Sequence, residues 1–238
     1  MTHPPILLTV DGRKIEARPG QTILEATDAA GVYIPRLCWM KGLLPFGSCR
    51  VCTVRVNGRP QAACTQPVAP GMVIENDTAE LRELRRDLID MLFVEGNHFC
   101  MVCAKSGNCE LQALAYRFGI TAPKYPFAFP QRVRDASHSA IVLDRDRCVL
   151  CARCVRASRS LDGKAVFGFE GRGPGKCIAV NAAEGLVATD ADAADRAVAA
   201  CPTGALMEKR VGFAVPVGRR LFDRAPIGSE TEPPAAEK

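Results

Sequence analysis

The sequence predicts an α+β chain of three small units with a C-terminal extension, and three observations carry that reading. The twelve cysteines of the 238-residue chain fall into three groups in order, with one left over. Strand-like runs punctuated by turn residues occupy the first and last thirds, while helical periodicity dominates the middle. No apolar stretch reaches the ~18 residues a membrane span needs, so none is expected. The expected boundaries are 1–77, 78–130 and 131–210, with 211–238 a partly disordered extension.

In the first unit, residues 6–10 (ILLTV) and 14–18 (KIEAR) flank Asp11-Gly12, a strong hairpin signal because both residues tolerate positive φ. Pro19-Gly20 leads into TILEATDAAG, a short helix that Gly31 is placed to stop. A cysteine-bearing loop follows. Then come VCTVRV (51–56), an Asn57-Gly58 turn, QAACTQPV, and MVIEN (72–76) as a closing strand. Two strands, a helix and a cysteine loop is the order expected of a β-grasp ferredoxin.

The second unit opens at Asp77-Thr78-Ala79-Glu80, a capping-box-like helix start. Leu81, Leu84, Leu88, Met91 and Leu92 recur at helical spacing, with Arg82, Arg85 and Arg86 away from that stripe, as in a core-packing amphipathic helix. A further, small helix is expected near 110–118 (ELQALAYRF), ending at Gly119. TAPKYPFAFPQ (121–131) reads as a linker or extended strap.

The third unit begins near 141. It is expected to hold a cysteine run, a helix through 152–160, strands near 165–169 and 177–180, and a helix near 192–199. GRGPG (171–175) lacks the Lys-Ser/Thr of a phosphate-binding loop and reads as a turn. The polar, proline-rich tail after 225 reads as disordered.

An even number of cysteines can mean a disulfide scaffold in a secreted protein. Against that, MTHPPILLTVDGRK lacks the basic-then-apolar pattern of a secretory signal. The chain is also too long to need staples, and separate Cys-x2-Cys pairs suit metal ligation better than local disulfides. A reducing, cytoplasmic setting is expected. The formal charge of +5 counts every cysteine as neutral. If the cysteine groups hold three oxidised iron–sulfur clusters, at about −2, −1 and −2 with their ligands, that surplus cancels, which argues against a nucleic-acid partner.

Cys38, Cys49, Cys52 and Cys64 set one Cys-x2-Cys between two outlying cysteines, as plant-type 2Fe–2S ligands do. Zinc ribbons favour two such knuckles, and here there is one. Gly47 and Ser48 are expected to bring backbone amides close to the sulfides. Cys100, Cys103 and Cys109 leave a 4Fe–4S core one ligand short, and His98 is the nearest side chain able to complete it. His3 and His138 are expected to be solvated or packed. A neutral imidazole in place of a thiolate raises the potential, as in Rieske centres.

Cys148, Cys151 and Cys154 form the C-x2-C-x2-C start of a bacterial-type motif, with Cys201 before Pro202 as the distal ligand. Ser158 stands where a further cysteine would serve a second cluster, so one 4Fe–4S cluster is expected here. The count is one 2Fe–2S and two 4Fe–4S clusters. Cys177 is left over, and a buried structural thiol is expected. Arg145, Arg147, Arg153, Arg156 and Arg159 crowd the third set, either as a solvated face that offsets charge or as a dock for an acidic partner. The chain carries no nucleophile–base arrangement, nucleotide fingerprint or nickel-site motif, so it is expected to move electrons and to hold no active site.

In this order the three patterns resemble the N-terminal iron–sulfur segment of the large electron-conducting subunit of respiratory complex I. Iron-only hydrogenases and some NAD-linked formate dehydrogenases share that segment, and the likeness covers about residues 5–208. It implies the ligand sets given above. The spacing departs at one place: only Phe99 separates His98 from Cys100, where relatives usually set the histidine further away.

In iron-only hydrogenases and formate dehydrogenases a large catalytic domain is expected after the last cluster, whereas 37 residues follow Cys201 here. HFCMVCAKSGNCELQALAYRFG and CPTGALMEKRVGFAVPVGRR are similar to the small diaphorase subunit of the NAD-reducing soluble nickel–iron hydrogenases. That resemblance implies an electron-transfer subunit relaying single electrons between a hydrogenase pair, small and large, and a flavin subunit. FMN, NAD and nickel–iron are then expected in the partners alone. The alternatives are a wiring subunit of a formate dehydrogenase or complex I-like assembly, and a free-standing multi-cluster ferredoxin. The apolar, basic stretch GFAVPVGRRLF (212–222) favours a docked subunit.

Overall fold

The computed structural model describes residues 4–232. β1 (Ile6–Val10) and β2 (Arg13–Ala17) pair antiparallel about Asp11 and Gly12, both at positive φ. Alternation along β1 turns Leu8 and Val10 inward and leaves Leu7 exposed. α1 (Ile23–Ala29) begins with a reciprocal cap: the Thr22 hydroxyl accepts from the Glu25 N–H, and the Glu25 carboxylate accepts from the Thr22 N–H.

β3 (Thr53–Val56) and β4 (Arg59–Ala62) form a second hairpin. β5 (Val73–Glu75) then inserts between β1, to which it runs parallel, and β3. The sheet order is β2-β1-β5-β3-β4, and α1 closes its inner face through Ile23, Leu24 and Ala26. This is the β-grasp arrangement.

α2 (Ala79–Val94) starts one residue later than its capping pattern suggests. Thr78 is the cap, accepting from the Leu81 N–H at 3.2 Å, while Asp77 is drawn away by a bidentate pair with Arg82. Its buried stripe is Leu81, Arg85, Ile89 and Val94, with Leu84 and Met91 exposed. Arg85 therefore lies on the inner face, contrary to the expected pattern. It is 2% exposed and donates to the carbonyls of Asn76 and Thr53 and to Asn76 Oδ1. Burial pushes its guanidinium down to about 10.

α3 (Glu110–Arg117) ends at Phe118, followed by Gly119 at positive φ. Residues 121–131 form an irregular strap, tied by the Lys124 N–H to Asp90 and by the Ala128 N–H to the Val94 carbonyl.

In the last third, β6 (Ile141–Leu143) pairs with β9 (Leu206–Glu208), a strand that the local sequence pattern does not predict. Between them lie α4 (Arg153–Ser160), the β7 (Phe167–Glu170) and β8 (Cys177–Val180) hairpin, and α5 (Arg196–Ala199). Residues 173–175 make a single 3-10 turn. α6 (Leu221–Arg224) follows.

The tail departs from the expected disorder. Ile227 is buried, Arg117 pairs with Glu232 at 2.6 Å, and Gly228 at φ +100° lies flat on the Tyr33 ring, where a Cβ would come within 2.6 Å. Residues 233–238 of that expectation lie outside the described residues. No helix among the described residues is long and apolar enough to cross a membrane.

Three cores hold the chain, and the loop between α1 and β3 enters all of them. Ile34 packs under the β-grasp sheet. Tyr33, Leu37 and Val51 pack with Ile89, Leu111 and Leu114, and Leu43 packs with Ile141, Phe167 and Leu206.

Candidate metal centres

That shared loop carries Cys38, Cys49 and Cys52, and Cys64 joins them from the end of β4. All twelve cysteines are free, and Cys38, Cys52 and Cys64 are buried. The Cys38 N–H lies 3.4 Å from Cys49 Sγ. Cys38 stands within hydrogen-bonding reach of Cys49 and Cys64, and Cys52 of Cys64, so these thiols compete for protons. Contact with Cys49 and Cys64 draws Cys38 far down, contact with Cys64 draws Cys52 down, and Cys49 and Cys64 rise as the donors. A positive core between the sulfurs would relieve that competition.

The backbone is bent to bring them together. Arg50, between Cys49 and Cys52, holds φ 59°, and Gly47 at φ +71° presses against Thr65, where a Cβ would come within 3.1 Å of Cγ2.

Cys100 sits in a 3-10 turn (Cys100–Val102), Cys103 closes that turn, and Cys109 is the cap residue of α3. Burial pushes the Cys109 thiol up to about 12, opposed by the amides of Gln112 and Leu111 in the first turn, which favour a thiolate there. Arg147 Nη1 reaches to 3.6 Å from Cys103 Sγ.

His98 packs its ring edge-on against Phe93 at 5.5 Å between centroids. Burial lowers it to about 4, and the nearby guanidiniums of Arg147 and Arg132 add to the effect, so the ring is neutral at pH 7. Its Nε2 is buried without a hydrogen-bond partner. A neutral imidazole with an orphaned buried nitrogen fits a metal ligand, although the charges that bear on the ring are arginines and not the three thiols. His138 instead uses Nδ1 to accept from the N–H groups of Ala140 and Ile141. His3 lies outside the described residues.

Cys148, Cys151, Cys154 and Cys201 line one small cavity of about 20 Å³, whose wall also includes Leu143, Ile178 and Leu206. Leu150 and Ala152 take positive φ in the run between them. N–H groups aim at sulfur, from Leu150 to Cys148 and from Leu206 to Cys201, each at 3.4 Å. Burial raises Cys148 to about 11 and Cys151 to about 12, and lifts Cys154 well above the ordinary thiol range. Three thiols that resist ionisation, with the buried Cys201 beside them in an apolar cavity, suit a polynuclear cation that neutralises them. Among the described residues no three ligand side chains converge on a single metal-ion position.

Ser158 Oγ accepts from the Val166 N–H and so holds the approach to β7. Cys177 is half-buried, not fully buried as expected, because it begins an edge strand; its thiol donates to Glu170 at 3.1 Å across the β7–β8 pair.

The α4 arginines differ in their surroundings. Arg159 alone among those on α4 is exposed. Arg153 is 4% exposed and forms a bidentate pair with Glu110 at 2.5 and 2.7 Å, while also donating to the Trp39 carbonyl. Arg156 donates to the carbonyls of Cys38 at 2.6 Å and Cys151 at 3.2 Å. The Glu110 N–H donates to the Pro202 carbonyl, and a Cβ on Gly204 would stand 3.1 Å from Cys103 Sγ. The three cysteine sets therefore abut one another. Spacing motifs could not show this junction, since its members lie beside the cysteines in sequence without forming a motif of their own.

Comparison with known proteins agrees with this geometry. Residues 3–79 match a 2Fe–2S iron–sulfur cluster binding domain, 85–124 the NADH-ubiquinone oxidoreductase-G iron–sulfur binding region, and 141–207 a 4Fe–4S single cluster domain. The gamma subunit of the NAD-reducing hydrogenase HoxS from Cupriavidus necator is 42% identical over 92% of this chain and 93% of its own. The chain belongs to that family.

A crystal structure of NAD+-reducing nickel–iron hydrogenase in the hydrogen-reduced state contains a chain that superposes on this gamma-type subunit with a TM-score of 0.91. The two are 45% identical over 96% of this chain and 99% of that one. The mitochondrial 78 kDa subunit of NADH-ubiquinone oxidoreductase from Candida albicans is 32% identical over 87% of this chain but only 29% of its own length. The gamma-type subunit is an iron–sulfur protein with 2Fe–2S and 4Fe–4S binding domains, related to the N-terminal region of complex I subunits.

Proposed function

We propose that this chain is the electron-transfer subunit of the diaphorase module of an NAD-reducing nickel–iron hydrogenase, linking a hydrogenase pair to an FMN- and NAD-binding subunit. The observation that carries the reading is the junction of three thiol-rich sites within a chain that matches a hydrogenase gamma subunit over nearly its whole length. Cys38, Cys49, Cys52 and Cys64 would hold a 2Fe–2S cluster. His98, Cys100, Cys103 and Cys109 would hold one 4Fe–4S cluster, and Cys148, Cys151, Cys154 and Cys201 another. Bound clusters of these kinds supply one-electron redox chemistry.

The chain's own residues seat them, shield them and fix their separations. Leu143, Ile178 and Leu206 keep water from the third set, while the amides of Leu150 and Leu206 steady its sulfurs. The unit boundaries near 77, 130 and 210 belong to this reading, as does a cytoplasmic location, where free thiols persist.

Mass spectrometry of the native complex, purified through a tag on this chain, tests the reading. A flavin subunit together with a nickel–iron pair is expected. A molybdenum subunit in their place moves the function to formate oxidation, and a lone iron-loaded monomer overturns the subunit reading.

A further inference from the structure

Arg156 occupies an unusual position between two of the proposed centres. Its fork donates to the carbonyl of Cys38, in the first set, and to that of Cys151, in the third, with further bonds to the carbonyls of Leu44 and Ala152. Every one of these partners is a neutral carbonyl, and the Phe46 ring covers the guanidinium at 5.6 Å. Its neighbour Arg153, by contrast, is neutralised by the Glu110 carboxylate. Of the two arginines in the junction, Arg156 alone brings a charge that no carboxylate among the described residues offsets.

We propose that Arg156 is a positioning residue whose single positive charge is shared by the first and third cysteine sets and raises the reduction potential of both groups they hold. Reduction adds one negative charge to a centre. A cation within a few ångströms of a ligand's backbone favours the more negative state, and the half-buried site limits screening. The planar fork serves two loops at once, which a lysine ammonium does less well. The inference rests on the ligand assignment proposed above.

The test is a spectroscopically monitored redox titration of the native complex with Arg156→Gln, Arg156→Met, Arg156→Lys and, as an exposed control on the same helix, Arg159→Gln. The neutral variants are expected to shift the midpoints of the 2Fe–2S centre and of the third-set 4Fe–4S centre downward together. Lys is expected to leave both close to the parent, and Arg159→Gln to leave both unmoved.

A neutral variant that keeps full iron yet leaves either midpoint in place overturns the proposal, as does an equal shift in the control. If neither neutral variant assembles, retention of iron by Lys supports a required charge, and loss of iron by Lys overturns it. Separate 2Fe–2S and 4Fe–4S signals in the parent check the ligand assignment on their own. Should either be missing, that assignment fails, and this inference fails with it.

Discussion

The bidentate pair of Arg153 with Glu110 is where single side chains matter most to stability. Arg153 sits between Cys151 and Cys154, Glu110 follows Cys109, and the Trp39 carbonyl that completes the contact follows Cys38. Removing Glu110 leaves a 4%-exposed guanidinium with one carbonyl for company. Glu110→Ala is therefore expected to cost about 3 kcal/mol, the low end for a broken buried pair because the carboxylate keeps some contact with water. Chemical denaturation of the iron-loaded protein measures it, and a loss under half that size would mean solvent replaces the carboxylate.

His98 supports a second prediction. With the proposed ligand set, His98→Cys exchanges a neutral donor for a thiolate, so the middle centre should titrate at a lower potential while keeping its iron. Iron content and a midpoint unchanged from the parent would show that His98 is no ligand. The cysteine groups stand out in the sequence because most of their spacing is local, while Cys201, 47 residues beyond Cys154, is marked only by Pro202 after it. The bonds by which Arg153, Arg156 and Glu110 join one set to another leave no such trace, because they span 43 to 118 residues.

Helix α2 shows how far periodicity reaches at the scale of an element. Its existence and length follow from the leucine spacing, yet the inner stripe is turned so that Arg85 replaces Leu84 and Leu88 at the centre. The cause is the surface it meets. The Asn76 and Thr53 backbone, at the end of the inner strands β5 and β3, presents carbonyl acceptors that a leucine cannot satisfy. Arg85→Leu is expected to destabilise by about 2–3 kcal/mol. Three stranded acceptors at roughly 1–3 kcal/mol each are partly offset by relief of the buried charge. A urea midpoint equal to the parent's would sink that account.

The same limit explains the tail and β9. Composition alone marks 225–232 as disordered, but Tyr33, flanked by Arg36 and Arg117 at 5.0 and 4.8 Å, offers a flat platform that only a glycine can approach so closely. β9 is three residues long and becomes a strand only because β6 is there to pair with it. Short elements defined by a distant partner leave little trace in local pattern.

For the whole molecule, packing crosses the boundaries of the expected units. The cysteine groups divide the chain into three, whereas the loop between α1 and β3 places Ile34, Leu37 and Leu43 in three different cores. Tyr33, Leu37 and Val51 are each 3% exposed or less, and the residues that cover them lie in α2, α3 and the tail. Excised at residue 77, the first unit would expose these side chains and Leu43 together, and its ligand loop would lose the Arg153 and Arg156 bonds to Trp39 and Cys38.

The fragment 1–77 is therefore expected to keep protection from amide hydrogen exchange in β1, β3 and α1. Across 33–52 it should exchange at least tenfold faster than the same residues in the full chain, about 1.4 kcal/mol of lost local stability or more. Equal protection of that loop in fragment and full chain would mean that the first unit holds its ligands unaided. The contacts around Arg153 and Arg156 would then serve the spacing between centres and contribute nothing to building them.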